Sequence, residues 1–229
     1  DDALCALTVV YTVEKLLPTS GSVMSGLNTL EAIFEKLIYT KLPEGREWLD
    51  HLEILDAVRL TTFGSLKKTI QFYSEQLDGY VCVGIAKETE NYNRALSMLR
   101  DNKLPEGLLN NHELMEGYVR LSVPNKQYID SLQLINSQAI NGQVNISYIN
   151  LSSNQKAVLQ EIYGLYDNSE ALKKKVVENF TNEWKKRKAL MTLCEWWDNI
   201  PVPFDITAVG TVLAHANAQR CDKNIPPLE

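Results

Sequence analysis

The chain has 229 residues, of which 45% are hydrophobic and 23% are charged, and its formal net charge is −6. These values are typical of a globular protein and exclude the disordered, collagen-like and coiled-coil classes. The net acidity excludes general electrostatic attraction to nucleic acid or anionic lipid, although a local basic face is compatible with it. The length suffices for one or two domains with a buried core.

The cysteines and the hydrophobic runs indicate the cellular setting. Four cysteines, Cys5, Cys82, Cys194 and Cys221, lie too far apart for a zinc or redox motif. So few cysteines do not form a disulfide scaffold in a chain of this length. We therefore expect reduced, mostly buried thiols and a cytoplasmic protein. No apolar run approaches the roughly 20 residues that span a bilayer, so we expect no membrane association.

Two segments in the first half of the chain are similar to each other. Residues 41–61 read KLPEGREWLDHLEILDAVRLT, and residues 103–122 read KLPEGLLNNHELMEGYVRLS. Each has KLPEG, then a histidine, then VRL and a hydroxyl residue, and each histidine precedes its VRL valine by the same distance. This shared pattern predicts a duplication with a period of about 61 residues.

Each copy follows a stretch with helical periodicity, over 27–39 and 90–99. A proline and a glycine then predict a turn, the histidine segment a second helix, and VRL a short strand. Thr61 or Thr62, and Ser122, are suitable caps for a following helix. We therefore expect residues 27–66 and 90–127 to superpose as helix, turn, helix and short strand. In front of the first copy, the segment SGSVMSG lacks the G-K-[ST] ending of a phosphate-binding loop and is interpreted as a linker.

The segment 137–153 differs from the helical stretches around it. Asn141-Gly142 is a tight-turn signal, and Val144, Ile146, Tyr148 and Ile149 indicate strand. The segment predicts a hairpin that separates an N-terminal helical region, 1–136, with both KLPEG copies, from a C-terminal helical domain, 137–229.

The last part of the chain contains a third, weaker copy of the motif. Residues 204–213, FDITAVGTVL, align with VRLTTFGSLK at 58–67. Thr207 is expected to cap a final helix over 208–218, and Gly64 and Gly210 to start their helices at corresponding places. FDITAVGTVLAHANAQR resembles the exit from the wing in bacterial winged-helix proteins, where an L-T-x-x-G turn leads from the last strand into a closing helix. VRLTTFGSLKK is similar to the same turn.

The resemblance covers about 20 residues each time. It implies tandem winged-helix-like units, although each unit has room for only one short strand and a wing needs two. The fold expected from the sequence is mostly α with a few short strands. Its helical units are either winged-helix-like or plainly packed helices.

Motifs for catalysis and metal binding are missing from the sequence. No nucleophile elbow is present, and His51, His112 and His215 lack partners at metal-ligand spacing. We therefore expect no catalytic residue, no metal and no cofactor. The adjacent Trp196 and Trp197 could form a ligand platform, but tryptophans on a helix are more often core residues.

The strongest charge feature lies between residues 173 and 188, with seven basic and two acidic residues. The basic residues are Lys173, Lys174, Lys175, Lys185, Lys186, Arg187 and Lys188. Such a patch attracts phosphate backbones, but a solvated helix face is the commoner explanation. Phe180 and Trp184 are spaced i, i+4 and are expected to face the core.

Two functions are compatible with these observations. The first is a non-enzymatic interaction module that binds a protein partner or a second copy of itself, which the apparent duplication and the missing catalytic motifs favour. The alternative is nucleic-acid binding by winged-helix-like units, with the basic segment on phosphates.

Overall fold

Helices account for most of the regular structure, which confirms the expected mostly α fold with a few short strands. The computed structural model describes residues 1–140 and 143–228, and the side chains of these except 136–140 and 143–146. The α-helices are α1 (Asp2–Lys15), α2 (Val23–Leu37), α3 (Glu47–Ile54), α4 (Thr69–Gln76), α5 (Asp78–Val81), α6 (Glu90–Asp101), α7 (Ser153–Tyr163), α8 (Glu170–Lys185), α9 (Lys188–Trp197) and α10 (Ala208–Cys221).

The strands form small antiparallel sheets. They are β1 (Val58–Leu60), β2 (Ile85–Ala86), β3 (Leu109–Asn111), β4 (Tyr118–Leu121), β5 (Gln133–Ile140), β6 (Gln143–Asn150) and β7 (Phe204–Ile206). Strand β1 pairs with β7, β4 lies between β2 and β3, and β5 pairs with β6. Short 3₁₀ turns cover Glu106–Leu108 and Lys126–Ser131.

The chain forms two compact units, each assembled from separated segments. Unit 1 contains Asp1–Pro18, Ser25–Gln76 and the chain from Thr181 onward. Unit 2 contains Thr19–Met24 and Leu77–Phe180. These units differ from the predicted regions 1–136 and 137–229. The predicted boundary falls inside β5, and the segments near both ends of the chain belong to the same unit.

Unit 1 is built around a helix buried on nearly every side. In α1, all residues from Cys5 to Val13 are buried, and α10 packs against this helix. A second part of the core is aromatic, because Trp48 contacts both Trp196 and Phe204. Phe180 is fully buried in unit 2 and Trp184 almost fully buried in unit 1, which confirms that both face the core.

The β1–β7 pair brings two related segments of unit 1 together. Val58 pairs with Ile206 and Leu60 with Phe204, so VRL and FDI, which were compared as sequences, are antiparallel neighbours. After β7, Thr207 caps α10 as expected, accepting a hydrogen bond from the Gly210 N–H at 3.1 Å. After β1 the prediction is wrong, because Gly64 lies in a non-helical segment with φ +96° and the next helix begins at Thr69.

Unit 2 has its own core beneath the three-stranded sheet. Ile85, Val119 and Leu121 from the sheet belong to one apolar cluster with Leu99 of α6 and Leu159 of α7. Strands β5 and β6 form the predicted hairpin, paired from Gln133–Asn150 to Ile140–Gln143. The Asn141-Gly142 turn lies outside the described residues.

The two KLPEG segments adopt different structures, so the predicted superposition is wrong. In the first copy the histidine segment is helix α3, and β1 follows it. In the second, a 3₁₀ turn leads into β3, and the chain then returns as β4. The residues after KLPEG explain the difference. Trp48, Leu49 and Leu52 are buried on one face of α3, whereas Asn110-Asn111 and Gly117 favour an extended segment and a turn.

Candidate interaction surface

The two sides of helix α10 differ in the size of their apolar residues. The side that packs into unit 1 combines the small residues Gly210, Ala214 and Ala218 with the polar residues His215 and Asn217, whereas larger aliphatic residues lie on the side in solvent. In a typical surface helix the larger apolar residues form the stripe that faces the core.

The inner side of α10 is held by polar contacts. His215 Nδ1 lies 3.1 Å from the hydroxyl of Tyr11 in α1. Asn217 donates its side-chain amide to Thr8 Oγ1 at 2.8 Å and to the Tyr39 hydroxyl at 3.1 Å. Both His215 and Asn217 are buried, so these hydrogen bonds give His215 Nδ1 and the Asn217 amide partners in place of water, whereas His215 Nε2 has none among the described residues.

The outer side of α10 is an apolar stripe. Val209, Val212, Leu213 and Ala216 are spaced i, i+3, i+4 and i+7, which places them on one helix face. All four are exposed, and Val212 exposes 58% of its surface. Single exposed apolar residues need no explanation, but a stripe of four on one helix makes this face a candidate interaction surface.

The start of α10 lies directly against the end of α3. The Thr207 N–H donates to the Ala57 carbonyl at 3.1 Å, and the Thr207 hydroxyl donates to the Asp56 carbonyl. A Cβ on Gly210 would lie 1.9 Å from the Ala57 carbonyl oxygen, so only glycine permits this approach. The glycine of the I-T-x-x-G segment therefore has a packing role.

The end of α3 adds apolar residues close to this junction. Ile54 and Leu55 immediately precede the contact at Asp56 and Ala57, and they expose 84% and 51% of their surface. Hereafter the apolar surface means Ile54, Leu55, Val209, Val212, Leu213 and Ala216. A further apolar side chain, Phe63, is 89% exposed in the segment after β1.

Charged residues are missing from the α10 part of the apolar surface. Between Asp205 and Arg220 the sequence has no Asp, Glu, Lys or Arg. Arg220 itself lies over the Tyr39 ring, 5.4 Å from its centroid, and donates to the Asn217 side chain at 3.0 Å. The stripe therefore offers hydrophobic contact without electrostatic selection.

The basic segment is divided between the two units. Lys173, Lys174 and Lys175 belong to unit 2, whereas Lys185, Lys186, Arg187 and Lys188 belong to unit 1. Lys173 and Lys186 form i, i+3 ion pairs with Glu170 and Glu183, which lowers the positive charge available to a ligand. Lys174, Lys175, Lys185 and Lys188 are exposed as expected.

Arg187 is not the surface residue that the sequence predicted. Only 11% of its side chain is exposed, and its guanidinium donates to Asn28 Oδ1 at 2.8 Å and lies near Glu31 and Glu183. The reason is its position between α8 and α9, where the chain turns inward. Arg187 therefore stabilises unit 1 and is unsuited to binding phosphate.

The histidines occupy three unrelated environments. His51 is exposed on α3, whereas His112 is buried after β3 and contacts Cys82 O and the Leu114 N–H. His215 is bound to Tyr11, as described above. Within the described residues, no three His, Cys, Asp or Glu side chains form a group that could hold a metal ion.

The two adjacent tryptophans are core residues. Trp196 donates its indole N–H to the Pro43 carbonyl at 2.8 Å, and Trp197 donates to the Lys67 carbonyl at 2.9 Å. Both are buried, although Trp196 and Trp48 contribute to the floor of a groove of about 580 Å³ beside residues 41–45. Their N–H groups are used internally, so the pair lacks the free donors of a ligand platform.

The segment SGSVMSG is fixed rather than linker-like where it belongs to unit 2. Arg120, buried in β4, donates to the Gly21 carbonyl at 2.5 Å and to the Val123 and Gly79 carbonyls. Glu113 accepts from the Ser22 hydroxyl and the Val23 N–H. No phosphate-binding loop is formed, because these polar groups are occupied by each other.

The four cysteines, all within the described residues, form no disulfide. Cys5 is buried, whereas Cys82, Cys194 and Cys221 are half-buried, so burial is less complete than expected. Desolvation raises the pKa of the Cys82 thiol to about 12, which suppresses the reactive thiolate.

The apolar surface was not identified from the sequence, although a signal existed. Val209, Val212 and Leu213 have helical spacing, while Ala214 and Ala218 supply a second apolar side to the same helix. Helix α10 therefore has apolar residues on two sides, of which the side with Ala214 and Ala218 is buried in unit 1 and the other is exposed.

In the described part of the chain, none of the helices combines the length and low charge needed to cross a lipid bilayer.

Comparisons with known proteins add no family. No protein-family model matches the chain, and no curated protein or solved structure gives a significant match.

Proposed function

We propose that this chain is a non-enzymatic protein-interaction module that binds a protein through the apolar surface. The observation that carries the proposal is the exposure of the large aliphatic residues Val212 and Leu213 on α10, whose buried side holds small and polar residues instead. Leaving such a stripe in water forfeits about 25 cal/mol for each Å² of apolar area, which binding recovers.

The β1–β7 pair supports a winged-helix-like arrangement of α3, the two strands and α10. The sequence predicted room for only one short strand in each winged-helix-like unit. In the structure, β1 gains a second strand because residues 204–206 pair with it. In helix-turn-helix DNA readers the second helix of the pair enters the major groove. Here that helix, α3, carries Glu47, Asp50 and Glu53, which repel phosphate. This charge favours a protein partner for the arrangement.

The test is co-purification of tagged full-length chain from its native host. The double variant Val212→Asp, Leu213→Asp should lose the partners that the wild type retains, because two charges would be buried unpaired in the interface. The matched control is Met191→Asp, which alters an exposed apolar residue of α9 in the same unit. Circular dichroism and melting temperature establish that each variant is folded. Retention of the same partners by the folded double variant would contradict the proposal.

A further inference from the structure

The hairpin of β5 and β6 in unit 2 has two unpaired sheet edges. These are the longest strands in the described part of the chain, with 8 residues each, and there they form a sheet of two strands only. In an antiparallel pair, every second residue directs its backbone N–H and C=O away from the partner strand. Each outer edge of the hairpin therefore presents a row of backbone groups to which a further strand can pair.

The sequence of this hairpin lacks the features that normally protect a sheet edge. Exposed edges are usually blocked by charged side chains, by proline or by the shortness of the strand. Between Asp130 and Lys156 the sequence contains no Asp, Glu, Lys, Arg or Pro. The strands are not short either, because 8 residues extend over about 27 Å. Nothing in this segment of the sequence therefore opposes pairing with another strand.

The outer edge of β6 is better suited to a further strand than that of β5. Tyr148 and Ile149 are successive residues of β6, so their side chains lie on opposite faces of the hairpin, and both are exposed. In β5, by contrast, Leu134 packs against the apolar core of unit 2. A strand added beside β6 would therefore meet exposed apolar side chains on both of its faces.

We propose that the outer edge of β6 binds an extended, uncharged segment of a partner protein as an added β-strand. Main-chain hydrogen bonds supply the affinity in this mode of recognition, and side chains at alternate positions supply the selection. The partner residues beside Tyr148 and Ile149 should be aliphatic or aromatic, because apolar cross-strand pairs stabilise a sheet. A charged residue there would lose water without gaining a partner charge.

This site is separate from the one in the proposed function. The β6 edge belongs to unit 2, whereas the apolar surface belongs to unit 1. The two sites also select different occupants, because the β6 edge offers backbone hydrogen bonds that only an extended segment can complete. The β6 edge is therefore tested with an extended peptide.

The probe is an eight-residue peptide of alternating valine and threonine, acetylated and amidated so that it carries no charge. Isothermal titration calorimetry with the full chain should give a Kd below about 1 mM. The control is the same peptide with an N-methyl group on every residue, which keeps the side chains but removes the N–H donors. It should not bind. No binding of the first peptide, or equal binding of both, would overturn the proposal.

Hydrogen exchange locates the bound peptide on the chain. At ten times its Kd, the outward-directed amides of β6 should exchange about eleven-fold more slowly than in the free chain. The amides directed toward β5 are already hydrogen-bonded and should change little. Protection should therefore alternate along β6, with a period of two residues. Protection of β5 or of unit 1 in place of β6 would contradict the assignment to this edge.

A pair of matched variants distinguishes the two edges. Tyr148→Lys places a charge at the β6 edge and should weaken peptide binding by about ten-fold or more. Ile135→Lys is the control, because Ile135 pairs with Tyr148 across the hairpin and is similarly exposed, at 68% against 65%. It should bind the peptide like the wild type. With both variants shown to be folded by circular dichroism, equal binding by the two would exclude the β6 edge.

Sedimentation velocity of the full chain without peptide tests a second copy as the occupant. The wild type should keep the mass of the 25.9 kDa monomer. A dimer that Tyr148→Lys returns to monomer would show that another copy covers the β6 edge, and a separate partner would then be wrong. The double variant Val212→Asp, Leu213→Asp should bind the peptide like the wild type, so failure of the proposed function and failure of this inference are distinguishable.

Discussion

The buried histidine His112 should make the stability of unit 2 depend on pH. Its Nδ1 accepts a hydrogen bond from the Leu114 N–H at 3.1 Å, and its Nε2 lies 2.7 Å from the Cys82 carbonyl oxygen. Both bonds form only when the ring is neutral and carries its proton on Nε2, because a protonated ring has no acceptor nitrogen. Desolvation by burial, assisted by the Arg120 charge, lowers the pKa of His112 to about 4.

Acid should lower the stability of unit 2, because the unfolded chain protonates this histidine at a higher pH than the folded chain does. The unfolded chain protonates this histidine near pH 6.5, whereas the folded chain resists protonation until about pH 4. The contribution to stability is therefore complete above about pH 7 and is lost as the pH falls through this interval. At about 1.4 kcal/mol per pH unit the full loss is about 3 kcal/mol, of which about 2 kcal/mol has occurred by pH 5.

Hydrogen exchange of the β4 amides measures this loss within unit 2. Tryptophan fluorescence would not report it, because all four tryptophans lie in unit 1. The free energy of opening in wild-type β4 should fall by about 2 kcal/mol from pH 7 to pH 5. His112→Gln should flatten this dependence, and His51→Gln on exposed α3 is the matched control. Equal pH dependence in wild type and His112→Gln would refute the reasoning.

Four further predictions concern the cap of α10, Gly210, Arg120 and the basic segment. Thr207→Ala removes the cap of α10 and should destabilise unit 1 by about 1 kcal/mol. Gly210→Ala should destabilise it by about 1–3 kcal/mol, because the added methyl group clashes with the Ala57 carbonyl. Thermal melting measures both losses, and unchanged stability would contradict the packing described at this junction. Arg120→Met should destabilise unit 2 by about 3–5 kcal/mol, because it leaves the buried carbonyls of Gly21, Gly79 and Val123 without their donor and Glu113 without its positive charge. Hydrogen exchange of the β4 amides measures the loss, and a loss smaller than Thr207→Ala causes would show that the network matters little. Labelled duplex DNA should bind more weakly than about 10⁻⁴ M at physiological salt; tighter, salt-dependent binding abolished by Lys185→Glu, Lys186→Glu would restore the nucleic-acid alternative.

Local signals predicted the elements whose structure depends on nearby residues. Alternating residues near 144–149 indicated the hairpin, and Thr207 three residues before Gly210 indicated a capped helix. The spacing of Phe180 and Trp184 indicated their burial. The cap joins residues three positions apart and the hairpin pairs adjacent segments, so the sequence pattern contains both. The burial of Trp184 is completed by a distant residue, Tyr73, but the i, i+4 spacing already indicated the apolar face.

The identical KLPEG residues did not predict a shared structure, because the residues that follow them decide it. KLPEG has little preference of its own, so Trp48 and Leu52 make one copy helical while Asn110 and Gly117 make the other extended. The polar contacts that orient α10 could not be predicted either, because Thr8 and Asn217 are separated by 209 positions. Without that pairing, the sequence does not reveal which side of the helix faces solvent.

The discontinuous construction of unit 1 has a consequence during synthesis on the ribosome. Helix α1 is synthesised before α10, which packs against it and follows nearly 200 residues later. At about 5–20 residues per second, that delay is roughly 10–40 s. Throughout this time the apolar run from Cys5 to Val13 lacks the cover that α10 provides, although α3, which also packs against α1, is made earlier, and the 104 residues of Leu77–Phe180 are completed. We expect the nascent chain to depend on a holdase that binds α1, and a slow release step to precede closure of unit 1.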